Sequence, residues 1–213
     1  MTDFTSLESF LADRLRQPLP GAAAQRRFAP HPARKGWEPD QRPAGARHAS
    51  ALVLIYPGDA GPTLPLTVRH DDLPHHPGQI SLPGGGLDAG ESPLDAALRE
   101  AEEEIGVSPV DVCIVGALSP LWVVVSGFIV FPFVGIVDRR PEFRLAEREV
   151  SELVEAPLAT LRDPAHTGWA AKPRDGVLVR FPYFDVGGHH VWGATAMMLG
   201  EFVALFDPDF RPA

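Results

Sequence analysis

The chain has 213 residues, enough for one domain with terminal additions and a sizeable core, and 45% hydrophobic with 22% charged residues is ordinary for a globular protein. A net charge of −9 argues against a general nucleic-acid or acidic-membrane binder, since those present a basic face. The single cysteine, Cys113, excludes an internal disulfide framework and a Cys-type zinc site, and it reads as a small buried residue on a strand.

The N-terminal ten residues hold two acids and no basic residue, so no signal peptide is expected, and the terminal F-R-P-A is not a peroxisomal ending. A cytosolic location is the expectation. Residues 4–16 predict a short amphipathic helix with Phe4, Leu7, Phe10, Leu11 and Leu15 on one side. Residues 17–50 are rich in Pro, Ala and Arg without a period, and read as an extended, solvated connector. A folded domain is expected over residues 51–213, with residues 1–50 as an N-terminal helix and connector.

Apolar runs at 51–56 and 63–69, joined by P-G-D-A-G-P, predict a strand hairpin, and a polar loop then leads to Gly84-Gly85-Gly86. Further strands are expected at 110–118, 121–125, 128–137 and 177–186, a short helix within 147–161, and a closing helix over 191–206. The uncharged stretch 114–137 is long enough to span a bilayer. Its punctuation by Pro120, Gly127, Pro132 and Gly135, with its Val, Ile and Phe content, predicts buried strands instead. The tryptophans Trp122, Trp169 and Trp192 are expected in the core.

The organising stretch is 85–107, G-G-L-D-A-G-E-S-P-L-D-A-A-L-R-E-A-E-E-E-I-G-V. Ser92-Pro93 predicts a helix start, Asp95 sits where a carboxylate favours the positive helix end, and Gly106 suits a left-handed C-cap. Leu94, Ala97, Leu98, Ala101 and Ile105 make an apolar stripe. At 3.6 residues per turn, Glu100, Glu103 and Glu104 share an arc of about 100°. Like charges at that spacing repel, and Arg99 is the one basic residue of the stretch, so a hard divalent cation would offset the repulsion. A plain solvated acidic face is the alternative that composition alone leaves open.

The spacing Gly85, Glu91, Arg99-Glu100, Glu103-Glu104, Gly106 resembles the full signature of the Nudix hydrolases at every fixed position. The resemblance implies an α/β/α sandwich with a mixed β-sheet and a loop–helix–loop catalytic motif. It also implies Mg²⁺ or Mn²⁺ held by Glu100, Glu103, Glu104 and the Gly84 carbonyl. Arg99 is expected to orient the glutamates, and Glu91 to be a structural partner of Arg99 or of the helix N-terminus. The general base is expected to be Glu103 or a glutamate outside the motif, with Glu149, Glu147 and Glu152 as candidates.

The preceding loop, 66–85, is similar to the additional motif of the coenzyme A pyrophosphatase subgroup, with Leu66, Thr67, Arg69, Gly78, Pro83, Gly84 and Gly85 in register. The chain departs at Pro65, His70, Pro74 and Leu82. Pro74 stands where the motif has a second arginine, and proline offers no two-pronged phosphate contact. S-G-F-I-V-F-P-F-V-G (126–135), E-V-S-E-L-V-E-A-P-L (149–158), P-Y-F (182–184) and V-W-G-A-T-A-M-M-L (191–199) are also similar to that subgroup. The resemblance implies hydrolysis of coenzyme A, and of its thioesters, to 3′,5′-ADP and 4′-phosphopantetheine, with Arg69, His76, Gln79 and Ser81 contacting substrate. The partner is then a small molecule, with neither nucleic acid nor membrane. Rivals are hydrolysis of ADP-ribose or a dinucleotide polyphosphate, and a non-catalytic nucleotide-sensing module.

Overall fold

In the computed structural model, residues 4–70, 72, 78–174 and 176–210 are described. Strand β1 (Arg47–Gly58) is the centre of the fold, and its sequence explains why. Residues 49–56 are continuously buried because both faces of the strand are covered. Ala51, Val53 and Ile55 face one apolar cluster, and Leu52, Leu54 and Tyr56 the other. On one side lies helix α3 (Pro93–Ile105), contributing Ala97, Ala101 and Ile105. On the other side lie helix α1 (Phe4–Arg14) through Leu7 and Leu11, a short helix α4 (Leu158–Arg162), and the closing helix α5 (Gly193–Ala204). This is an α/β/α sandwich.

Among the described residues eight strands make the main sheet. Strand β1 pairs antiparallel with β2 (Gly61–Arg69) and with the short β4 (Gly84–Gly86), while β3 (Ile80–Ser81) pairs with β2. It pairs parallel with β7 (Phe128–Ile136), which makes the sheet mixed. Strands β5 (Cys113–Ala117) and β6 (Leu121–Val123) run antiparallel to β7. The uncharged stretch is thus strand, and no described helix is long and apolar enough to cross a membrane.

The region 147–161 departs from the expected helix. It forms strand β8 (Val150–Pro157), antiparallel to β2 with Leu66 opposite Val154, followed by α4. Val150, Val154 and Ala156 are buried, an alternation that a short apolar run shares with one helix face. A three-stranded antiparallel sheet of β9 (Thr167–Arg174), β10 (Val177–Val186) and β11 (His189–Trp192) follows. Residues 191–192 therefore finish a strand, and the closing helix starts at Gly193.

The segment between α1 and β1 departs from an extended, solvated connector. It contains helix α2 (Gly21–Arg26), with Ala24 and Gln25 buried. Gln25 Nε2 donates to Glu201 Oε2 at 2.8 Å, and the Gly21 and Ser119 backbone N–H groups each donate to Glu201 Oε1 at 3.1 Å. Phe28 stacks on Phe184 with ring centroids 4.3 Å apart. His31 and Arg180 exchange backbone hydrogen bonds of 2.6 and 2.8 Å. A polar triad and an aromatic stack hold this segment to distant elements, and neither is encoded in its local composition.

Cys113 lies on a strand as expected, but it is exposed. Trp169 is 51% exposed, and Trp122 and Trp192 are half-buried, so none of the three is a fully enclosed core residue.

Candidate active site

Helix α3 carries the acidic motif, and its termini are built as the sequence dictates. Ser92 Oγ accepts from the Asp95 N–H at 3.2 Å, Pro93 opens the first turn, and Gly106 closes the helix at φ 73°. Its inward face differs in one respect from the apolar stripe: Ala96, Ala97, Ala101, Glu104 and Ile105 are buried, whereas Leu94 and Leu98 are half-buried. Glu104, 3% exposed, has entered the face that the aliphatic residues were expected to own.

What Glu104 faces is β4. The Gly84 N–H donates to Glu104 Oε2 at 3.3 Å. A Cβ on Gly84 would run into the Ser50 backbone of β1, and a Cβ on Gly85 would collide with the Glu100 carboxylate. The glycines therefore let two layers close on each other, a strand against a strand and an acidic side chain against a strand.

Arg99 organises the rest. Its Nε and NH2 donate to the two oxygens of Glu91 at 2.8 and 3.1 Å, and its NH1 donates to Glu100 Oε1 and Glu103 Oε2, each at 2.9 Å. NH2 also reaches the Gly86 carbonyl at 3.1 Å. These contacts hold the guanidinium charged, with its pKa raised chiefly by Glu91, and depress that of Glu91 through the same bond.

The electrostatics of the acidic pair run the other way. Burial, reinforced by the charge of Glu100, pushes Glu104 up to about 8. Burial also raises Glu100, against the pull of Arg99. The charge of Glu149 raises both, so Glu149 belongs to this cluster. Arg69 acts on Glu104 in the opposite sense, and its Nε is buried with no hydrogen-bond partner among the described residues.

The structure thus brings together Arg99, Glu100, Glu103, Glu104, Gly84, Arg69 and Glu149. Glu152 is elsewhere: it pairs with His189 at 3.3 Å and lines a separate cavity of about 420 Å³. Glu147 is exposed in the loop before β8. His76, with His75 and Pro74, lies outside the described residues.

A cavity of about 510 Å³ opens beside the carboxylates. Arg69, Gln79, Ser81 and Gly84 line one part of it, and Ser81 Oγ is 3.1 Å from Thr67 Oγ1. Elsewhere its lining is apolar and aromatic, with Trp37, Trp122, Phe128 and Trp192, and it includes two further cations, Arg34 and Arg174. Sequence reasoning missed Arg34, Trp37 and Arg174. A tryptophan inside a Pro-rich segment was the available signal, since solvated linkers are poor in aromatics.

The donor set suits a hard cation: three carboxylates and a backbone carbonyl, all oxygen. Among the described residues no acidic side chains are already gathered into a ligand-like group, and Glu103 is turned to Arg99. A cation at Glu100 and Glu104 would draw Glu103 by a side-chain rotation, for which its 60% exposure leaves room.

Residues 46–175 match the NUDIX domain family. Over 163 residues the chain is 37% identical to an uncharacterized Nudix hydrolase, NudL, of Yersinia enterocolitica, covering 76% of this chain and 83% of that one. Over 168 residues it is 40% identical to NudL of Shigella flexneri, covering 76% and 84%. Among solved structures, the MutT protein from Methanosarcina mazei Go1 aligns over 78% of this chain and 100% of that chain, with TM-score 0.51 and 16% identity, a likeness of fold. The chain belongs to the Nudix family of hydrolases. Its reaction class is accordingly cleavage of the diphosphate bond in a nucleoside diphosphate derivative, a chemistry for which Nudix hydrolases generally use divalent metals.

Proposed function

We propose that the protein hydrolyses the diphosphate of coenzyme A, and of its thioesters, to 3′,5′-ADP and 4′-phosphopantetheine. The observation that carries this reading is the position of Arg69. The loop motif that resembles the coenzyme A subgroup contributes a buried, hydrogen-bond-lacking guanidinium nitrogen between the acidic cluster and a 510 Å³ cavity. A cation so placed suits a phosphate oxygen of a substrate whose larger part fills the cavity.

Glu100, Glu103, Glu104 and the Gly84 carbonyl would hold Mg²⁺ or Mn²⁺. Such an ion supplies charge neutralisation at the diphosphate and acidifies water. The protein's own groups do the rest. Arg99 fixes Glu100 and Glu103 in direction. Arg69 binds a phosphate, with Gln79, Ser81 and His76 beside it. Water attacks one phosphorus as the bridging P–O bond breaks, and Glu149 takes its proton. Its electrostatic reach to both Glu100 and Glu104 favours Glu149 over Glu147 and Glu152, with Glu103 the rival inside the motif. Residues 51–213 would carry this chemistry, with residues 1–50 as an addition.

Comparing kcat/KM for coenzyme A, dephospho-coenzyme A, ADP-ribose and diadenosine polyphosphates with Mg²⁺ tests the proposal. Coenzyme A should be preferred. A preference for ADP-ribose or a dinucleotide would overturn it, and binding without turnover of any of them would point to a sensing module.

A further inference from the structure

The cavity beside the carboxylates is assembled from three parts of the chain. Its reacting end, at Arg69 and Gly84, lies within the region matched by the Nudix domain family, residues 46–175. Two of its aromatic walls do not: Trp37 comes from the N-terminal segment and Trp192 from the end of β11. Arg34 precedes that region, and Arg174 sits at its last described positions.

The segment holding Trp37 is fixed in place and is not a loose arm. Trp37 Nε1 donates to the Trp122 carbonyl at 3.0 Å, and the Trp122 N–H donates to the Pro39 carbonyl at 2.7 Å. Arg42 NH2 adds a bond to the Pro120 carbonyl at 2.8 Å. This wall is stapled to the edge of β6. Trp192 is supported from behind, with the Phe181 ring centroid at 4.9 Å and Lys172 Nζ at 4.9 Å from its ring. Both indoles are therefore held before any ligand arrives, which lowers the ordering cost of stacking.

Arg34 and Arg174 are unusual in a chain with 28 acidic residues and a net charge of −9. Arg26, in the same N-terminal segment, is paired with Glu38 at 2.6 Å. Neither Arg34 nor Arg174 has an ion pair or side-chain hydrogen bond among the described residues, and both line the cavity. Two free guanidinium groups on one aromatic cavity call for a ligand that is planar and apolar over most of its area and also anionic away from the reacting diphosphate.

We infer that this cavity takes the adenosine 3′,5′-bisphosphate half of the substrate, its base against Trp37 and Trp192 and its 3′-phosphate on Arg34 and Arg174. The inference rests on the coenzyme A reading. It adds which half of the molecule is recognised, and that residues outside the catalytic motif do the recognising. The pantetheine arm is the poorer occupant, because it is flexible and uncharged and offers nothing to two guanidinium groups.

Calorimetric binding of 3′,5′-ADP and of 5′-AMP to the full chain with Mg²⁺ tests it, since the two differ by the 3′-phosphate alone. Wild type should bind 3′,5′-ADP about tenfold or more tightly than 5′-AMP, as expected of a charge-assisted phosphate contact. In the double variant R34A/R174A, which removes groups with no described partner, the two affinities should agree within about twofold. Trp37→Ala should weaken both ligands and Trp37→Phe should restore most of the loss, while saturating 4′-phosphopantetheine should displace neither. Equal affinities in wild type, or a preference that survives in R34A/R174A, would overturn the inference. Turnover of coenzyme A is measured on the same protein. Turnover without the 3′-phosphate preference sinks the cavity assignment and leaves the function. The preference without turnover sinks the coenzyme A reaction and leaves a 3′,5′-ADP site.

Discussion

Arg99 grips Glu91 with two prongs, Nε to one carboxylate oxygen at 2.8 Å and NH2 to the other at 3.1 Å, and spends its remaining nitrogen on Glu100 and Glu103. Glu91 lies outside the helix, so it works as a brace that fixes the plane of the guanidinium and, through it, the two acidic side chains. Arg99→Lys keeps a positive charge but has no fork with which to do this. We expect kcat to fall about 10- to 100-fold in Arg99→Lys, the range seen when a partner that orients ligating groups is lost. Glu91→Gln should move in the same direction with a smaller loss. Steady-state kinetics over a Mg²⁺ titration checks both, and unchanged kcat with an unchanged metal midpoint would remove the bracing role.

Gly85 and Gly86 make a matched pair of tests. A methyl group at Gly85 would meet the Glu100 carboxylate, whereas at Gly86 the nearest heavy atom is Phe128 Cε1 at 3.9 Å, an ordinary contact. Gly85→Ala must push Glu100 away from β4, and a displacement of about 1 Å at a reacting group can cost on the order of 100-fold in rate. Gly86→Ala should keep nearly all of the activity. Both should keep their secondary structure by far-ultraviolet circular dichroism. Equal activities for the two variants would show that the Glu100–Gly85 contact does not set catalysis.

Glu149 and Glu152 belong to the same acidic stretch and face different neighbours. Glu149 acts electrostatically on Glu100 and Glu104, while Glu152 is bonded to His189. If Glu149 receives the proton of the attacking water, Glu149→Gln should lower kcat by about 100- to 10,000-fold, the usual worth of a positioned general base. Glu152→Gln should leave kcat close to wild type. Glu103→Gln separates the roles: loss there with full activity in Glu149→Gln would move the base into the motif helix.

The parts of this molecule that were legible in the sequence are those whose causes are local. The α3 helix announced its own cap, its first proline and its terminal glycine, and each sits as the residues dictate. Strand β1 was legible because it is apolar on both faces, a run too short for a helix. Strand β8 was not, since V-S-E-L-V-E-A satisfies either period and only its pairing with β2 decides. The N-terminal segment was least legible of all. Gln25 is buried for the sake of Glu201, and Trp37 for the sake of Trp122, partners far along the chain that no window of residues contains. The cavity was lost to the reading for the same reason. Its aromatic walls come from regions that looked, one at a time, like linker and core.

Glu201 offers a test of how the N-terminal segment is held. Its carboxylate accepts from the Gly21 and Ser119 backbones and from Gln25 Nε2, yet burial outweighs these bonds and raises its pKa above the ordinary 4.5. The native state therefore binds the proton more tightly than the unfolded chain does. Its contribution to stability is fully present below the unfolded value and is lost as pH rises through the raised native one. A glutamine at this position cannot titrate, so Glu201→Gln should remove this component whatever else it changes. The expected result is that the Tm of wild type minus that of Glu201→Gln becomes less favourable to wild type as pH rises from 4.5 into the neutral range. Thermal unfolding of both proteins across that range measures the difference directly. A difference that stays constant with pH would mean that the three donors hold the carboxylate ionised throughout, and that burial does not dominate at this junction.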